Sequence, residues 1–158
     1  MTHYFAIDIG GTFVKYSIIS DQGTIEGASK IATPKTLDEL IGFISDFCAS
    51  QQQRDLAGIA ISSPGGVSES GIIYGSSAVH YLHGPNIKEL IEASTGLPVH
   101  IENDANCAGY AEVWQGAAQG KKDVLVMVIG TSIGGASLKM GKSTKEPTCM
   151  AENLAICC

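Results

Sequence analysis

Apolar and polar positions fall into short blocks along this chain, and the blocks change period as it proceeds. Tyr4–Ile9 is an apolar run broken by Asp8; Gly10-Gly11-Thr12 follows, and Phe13–Ile19 resumes the run around Lys15 and Ser17. The turn Ser20-Asp21-Gln22-Gly23 leads into Thr24–Ala32, where polar and small residues separate the isoleucines. Three such runs joined by two turns predict an antiparallel meander. The period then becomes helical. Thr36-x-x-Glu39 forms a capping box, and Leu37, Leu40, Ile41, Ile44, Phe47 and Cys48 recur behind it on one face. Leu56–Ser62 reads as a buried strand, and Asn86–Thr95 as a second helix with Ile87, Leu90 and Ile91 inward and Gly96 as its stop. Val99–Glu102 is a further strand, and Asp104–Trp114 an alanine-rich third helix. Strand, helix, strand, helix after a meander predicts an α/β layered domain with a mixed sheet. Beyond Gly120, Val124–Gly130 and Ile133–Met140 read as two strands with no following helix to cover them, and Gly141–Cys158 shows no period.

At 158 residues the chain has room for one well-buried domain. Hydrophobic residues make up 44% and charged residues 16%, a balance that excludes intrinsic disorder over most of the length. The 19 glycines are clustered rather than periodic, so they mark tight turns or close backbone approach instead of collagen or linker. The net charge of −6 leaves no basic stripe, which argues against a nucleic-acid partner. A polyphosphate ligand on so acidic a body would need backbone N–H groups and a metal ion. Met1–Asp8 lacks the basic start of a secretory signal, and Val124–Leu138 is too short and glycine-rich to span a bilayer. Five cysteines without C-x-x-C spacing suggest neither disulfides nor zinc. The expectation is a reduced, cytoplasmic protein with no membrane partner.

Four segments carry candidate chemistry. In Asp8-Ile9-Gly10-Gly11-Thr12, an acid at a strand end stands beside two glycines whose N–H groups can hold a phosphate, with the carboxylate on hydrated Mg²⁺. The plain alternative is an ordinary Gly-Gly hairpin. Gly130-Thr131-Ser132-Ile133-Gly134-Gly135 repeats that form, and two such turns can clamp a triphosphate from both sides. Glu102-Asn103-Asp104 joins a strand end to a helix start. Asp104 suits an N-cap, and the helix N-terminus would also keep it ionised; Asn103 offers both donor and acceptor to a polyol hydroxyl. Ser62-Ser63-Pro64-Gly65-Gly66 ends a buried strand, where ligands of α/β sheets commonly sit, and must be a tight turn in any case. Gly141-Lys142-Ser143 imitates the end of a P-loop, but the required first glycine is Ala136; Gly-x-Gly-x-x-Gly is absent. His80 and His83, near Tyr81, read as surface or substrate-rim residues.

In this order and spacing the four segments resemble the ROK family, sugar kinases and related repressors of the actin/hexokinase-like (ribonuclease H-like) ATPase fold. Asp8–Thr12 looks like the family's first phosphate motif, Glu102–Glu112 like its catalytic segment, and Ile129–Gly135 like its second phosphate motif. The likeness covers roughly residues 4–141. It implies an N-terminal α/β lobe over 1–118, the first hairpin of a second lobe over 119–141, and a disordered non-family tail over 142–158. Asp104 would be the base that takes a proton from a sugar hydroxyl, typically the 6-OH, as it attacks the γ-phosphate of Mg-ATP. Asn103, Gly65 and Gly66 would hold sugar hydroxyls alongside Asp104. Asp8 would orient Mg²⁺ through water, and Gly10, Gly11, Thr12, Lys15, Gly130 and Thr131 would contact phosphates.

The segment Gly75–Gly84 departs from the Asn-Leu pattern of the family's glucokinases and looks more like members acting on β-glucosides. The family's Gly-Glu-x-Gly-His segment and Cys-x-Cys-Gly-x-x-Gly-Cys zinc cluster are missing, since Cys149, Cys157 and Cys158 do not match and no histidine follows His100. The tail therefore reads as out-of-frame sequence, and the chain as a truncated kinase of little activity alone. Full-length relatives are expected to be homodimers, which leaves the state of this fragment open. The alternative is a non-catalytic sugar-binding remnant or a sugar-responsive regulator. A repressor of this family would need a DNA-binding segment ahead of Asp8, where this sequence has seven residues.

Overall fold

In the computed structural model, which describes residues 1–129 and 133–139, the meander is present as expected. Strands β1 (His3–Ile9) and β2 (Phe13–Ser20) pair antiparallel from His3↔Ser20 to Ile9↔Val14. Strand β3 (Ile25–Ala32) adds to β2, with a register irregularity between Tyr16 and Ile18. Helix α1 (Leu37–Ser50) follows, then β4 (Leu56–Ser63), which lies parallel to β1. Two short strands, β5 (Gly66–Val67) and β6 (Ile73–Tyr74), pair with each other before α2 (Ile87–Thr95). Strand β7 (Val99–Asn103) returns parallel to β4, giving a mixed five-stranded sheet of order β3-β2-β1-β4-β7. The chain divides after Asn103 into two compact units. In the second, α3 (Asp104–Gln115) precedes the antiparallel hairpin of β8 (Asp123–Ile129) and β9 (Ile133–Lys139). The tail from residue 140 lies outside the described residues, so its expected disorder and frame are not addressed by the structure.

Alternation fixes which side of the large sheet is dry. Phe5, Ile7, Ile9, Val14, Ile18, Ile59, Ile61 and Val99 are buried, and Leu40 and Ile44 of α1 and Ile87 and Ile91 of α2 join them in one core. Aromatic rings form the densest part. Phe5 stacks on Phe47 with centroids 4.2 Å apart, and Tyr16 meets Phe47 and Phe43 edge-on at 5.2 and 5.1 Å. Leu90 corrects one expectation: it is 41% exposed, because the nine-residue α2 turns only its Ile87/Ile91 edge to the core.

The cap of α1 forms as its sequence predicts, with one variation. Thr36 Oγ1 accepts from the Glu39 N–H at 3.2 Å, while Glu39 Oε2 reaches one residue further back, to the Lys35 N–H at 2.8 Å. Thr36→Ala should cost about 1 kcal/mol, read as a lower urea midpoint with unchanged slope. A midpoint equal to that of the unmutated chain would show that the cap is not felt by the fold.

In the second unit the hairpin is covered by the helix that precedes it. A Cβ at Gly109 of α3 would sit 2.9 Å from Leu138 Cδ1 and 3.2 Å from Val126 Cγ2, so the helix lies almost in contact with the strands. The opposite face keeps Leu125, Met127 and Ile129 exposed at 81, 68 and 75%.

Candidate functional site

The parallel strands β1, β4 and β7 end side by side, and three of the four candidate segments start from those ends. Register sets the first. Asp8 pairs with Lys15 on β2 and with Ser62 on β4, and, lying between buried Ile7 and Ile9, it faces away from the core. Ser62 Oγ donates to Asp8 Oδ1 at 2.9 Å, and Lys15 Nζ lies 3.6 Å from Oδ2. Both Asp8 and Lys15 are substantially open to water, so the ion pair is weak and easily exchanged for a ligand. The turn beyond is tight: the Gly10 N–H bonds to Phe13 O at 3.1 Å, and a Cβ on Gly10 would lie 2.9 Å from that same oxygen. Thr33, the residue after β3, braces it, donating through Oγ1 to Gly10 O at 2.6 Å and through N–H to Thr12 O at 3.0 Å. Gly11 and Thr12 are exposed.

Gly65 occupies left-handed backbone at φ +95, and a Cβ there would come within 2.6 Å of Tyr74 O and 3.1 Å of Ile73 Cγ2. The turn is therefore pressed against β6, a pairing with no sequence signal beyond its glycines. Asn103 Nδ2 donates to Gly65 O at 2.9 Å, fastening the end of β7 to the turn after β4. Gly66 is exposed and has nothing near its Cβ position. A Cβ on Gly11 would lie 2.9 Å from Ala78 Cβ, so the first glycine turn touches the loop that follows β6. Asp8, Gly10, Gly11, Thr12, Lys15, Gly65, Gly66 and Asn103 thus belong to one unit and to one end of its sheet.

Asp104 is the next residue in the chain after Asn103 and the first of α3, so the helix begins at the carboxylate itself. It is exposed, and its Oδ1 accepts from the Ala105 N–H at 2.8 Å. Gly130 and Thr131 lie outside the described residues.

Several residues of the region were given no individual role by their motifs. Ser62, which holds Asp8, and Thr33, which braces the glycine turn, are polar residues at strand ends whose roles depend on pairing. Of the two expectations for His83, surface or substrate rim, the structure favours the second: the ring is half-buried, with Nε2 2.8 Å from Ser77 Oγ and Cε1 3.3 Å from a Cβ placed on Gly65. Tyr81 donates to Pro34 O at 2.8 Å, and its phenol is pushed up by burial and by the nearby Glu39 charge. Burial pushes the Cys48 thiol up to about 11, which keeps it protonated and inert.

The fit to Mg²⁺ rests on Asp8, a hard oxygen donor open to water beside glycine N–H groups. Among the described residues no group of three or more His, Cys, Asp or Glu side chains is arranged to hold a metal directly. No helix among the described residues is long and apolar enough to cross a membrane.

Comparison with known proteins extends these observations. The beta-glucoside kinase of Listeria innocua is 41% identical over 140 residues, covering 86% of this chain and 46% of that protein. The crystal structure of a ROK family protein from Streptococcus pneumoniae in complex with sucrose superposes with a TM-score of 0.77 at 38% identity, over 89% of this chain and 47% of that one. A ROK family glucokinase from Streptomyces griseus in complex with glucose and AMPPNP gives 0.76 at 29% identity, over 89% and 45%. The chain spans about half the length of the curated relatives it matches. The ROK family model itself matches residues 4–146, which takes in every candidate segment, and this chain is a member of the ROK family.

Proposed function

We propose that this chain carries the sugar-binding and first phosphate-binding segments of an ATP-dependent sugar kinase, which phosphorylates a hexose or hexoside hydroxyl, typically the 6-OH. The observation that carries the reading is the gathering of Asp8–Thr12, Gly65–Gly66 and Asn103 at the ends of three neighbouring parallel strands, with Asn103 bonded to Gly65. Similarity to a beta-glucoside kinase and to a glucokinase supports the substrate class.

In this reading Asn103 and the Gly65–Gly66 turn orient the sugar, and Asp104 accepts the proton of the attacking hydroxyl. An ionised carboxylate is a weak base, but phosphoryl transfer passes through a loose transition state and demands little of the base. Backbone N–H groups of Gly11 and Thr12 hold phosphate oxygens, while Gly10, whose N–H is taken by Phe13 O, shapes the turn; Gly130 and Thr131 form the second clamp and Lys15 is a counter-charge. Asp8 would hold the hydrated Mg²⁺ that accompanies ATP, and that ion would neutralise charge on the phosphates.

Because the chain spans about half of its relatives, it is expected to bind sugar weakly and to transfer phosphate little or not at all by itself. The test is sugar-dependent ADP release with glucose, methyl β-glucoside and cellobiose, run beside calorimetry of the same sugars. Binding without ADP release is the expected result. Robust release that Asp104→Ala abolishes would overturn the inactivity of the chain, whereas absence of any sugar binding would overturn the sugar-site reading. The alternative, a non-catalytic sugar-binding remnant or regulator, is favoured only by the partial length. It predicts no change in sugar affinity when Mg-ATP is added.

A further inference from the structure

His83 is a partly buried titratable side chain that the proposed chemistry leaves unused, and its surroundings are unusual. Its Nε2 lies 2.8 Å from Ser77 Oγ, while its Nδ1 is buried with no hydrogen-bond partner among the described residues. Its Cε1 stands 3.3 Å from the point a Cβ on Gly65 would occupy, so the ring packs directly on the sugar turn. Next to Ser77, Ala78 touches Gly11 of the phosphate turn. The imidazole is therefore the piece that joins the 75–79 loop to the Gly65–Gly66 turn.

The unpartnered nitrogen decides how the ring is used. A buried N–H with no acceptor is rarer in proteins than an acceptor with a spare lone pair, so the proton belongs on Nε2 and Nδ1 is left bare. Nε2–H then donates to Ser77 Oγ. That oxygen also accepts from the Val79 N–H at 3.2 Å, and among the described residues its own hydrogen then has only Val79 O, at 3.4 Å, within reach. A contact that long is close to the limit of a hydrogen bond. Ser77 thus keeps a poorly used donor beside the turn assigned to the sugar.

We propose that His83 is a positioning residue for the sugar: its ring fixes Ser77 against the Gly65–Gly66 turn as a hydrogen-bond donor to a hexose or hexoside oxygen. This rests on the sugar-site reading above. The role belongs to Nε2 alone, and the two amide side chains separate the two ring nitrogens. The glutamine amide nitrogen falls near the position of Nε2, and the asparagine amide nitrogen near that of Nδ1.

Calorimetric titration of the 158-residue chain with glucose and with methyl β-glucoside tests it. One hydrogen bond's net worth corresponds to about tenfold in affinity. His83→Asn and Ser77→Ala should each weaken binding by about that factor, His83→Gln should stay within about threefold, and the Asn/Ala double variant should be no weaker than Ser77→Ala alone. A ring that only fills space would lower the melting temperature in both His83 variants without this pattern of rescue. If the unmutated chain binds and either His83→Asn or Ser77→Ala binds equally well, the positioning role is wrong and the sugar site stands. If His83→Asn does not fold, Ser77→Ala decides. If the unmutated chain binds neither sugar, the sugar-site reading fails and this inference fails with it.

Discussion

Phe5→Ala should lower the unfolding free energy of the first unit by about 3–5 kcal/mol, enough to abolish a stable fold in a marginal domain. Phe5 has no exposed surface, and it touches the core from three directions. It stacks on Phe47 of α1, meets Tyr16 of β2 edge-on at 6.2 Å, and pairs in the sheet with Ile18 and Ile59. Removing the ring opens a void between sheet and helix that neither rigid layer can close. Tyr4→Ala is the control, because Tyr4 points to the opposite face and is 38% exposed. Its loss should be much smaller. Chemical denaturation of both variants checks the prediction, and a Phe5→Ala cost below about 1 kcal/mol would show that the aromatic cluster does not carry the fold.

Gly65→Ala is expected to be the most damaging change in the candidate site. Alanine resists φ +95, and its Cβ would press on Tyr74 O, a backbone atom of the β5–β6 pair that cannot rotate away. Strain of this kind costs about 1–3 kcal/mol, and any relief must move the turn that Asn103 holds. Gly66→Ala makes a sharp comparison: its Cβ meets nothing within 4 Å, so stability should change by less than about 0.5 kcal/mol. Thermal unfolding should separate the neighbouring variants clearly, and calorimetry should show Gly65→Ala without measurable sugar binding. Equal stability of the two would mean that the turn is not locked by β6.

Much of this architecture was legible residue by residue. Thr36 and Glu39 announce α1, Gly96 at φ +70 ends α2 as its position suggests, and the glycine turn after Asp8 lies where the apolar run breaks. What escaped was whatever needed a partner far along the chain. Leu90 matches the helical period and still faces outward, because the period names a stripe but not the width the core will cover. β5 and β6 have two residues each, too few to show alternation. His83 carries no flanking acid or cysteine, and its value comes from Ser77 and Gly65, which only folding brings to its ring.

By itself, then, the sequence determined the elements, their order and the candidate segments on which the proposed function rests. Periodicity, capping and turn chemistry act between residues a few positions apart, and each leaves its mark locally. Only the tertiary structure decided that Ser62 would hold Asp8 across 54 positions, that Asn103 would fasten Gly65, and that His83 would back the same turn. Those contacts follow from sheet register and from which faces exclude water. Both are settled by the burial of the whole lobe, and no short stretch of residues encodes them alone.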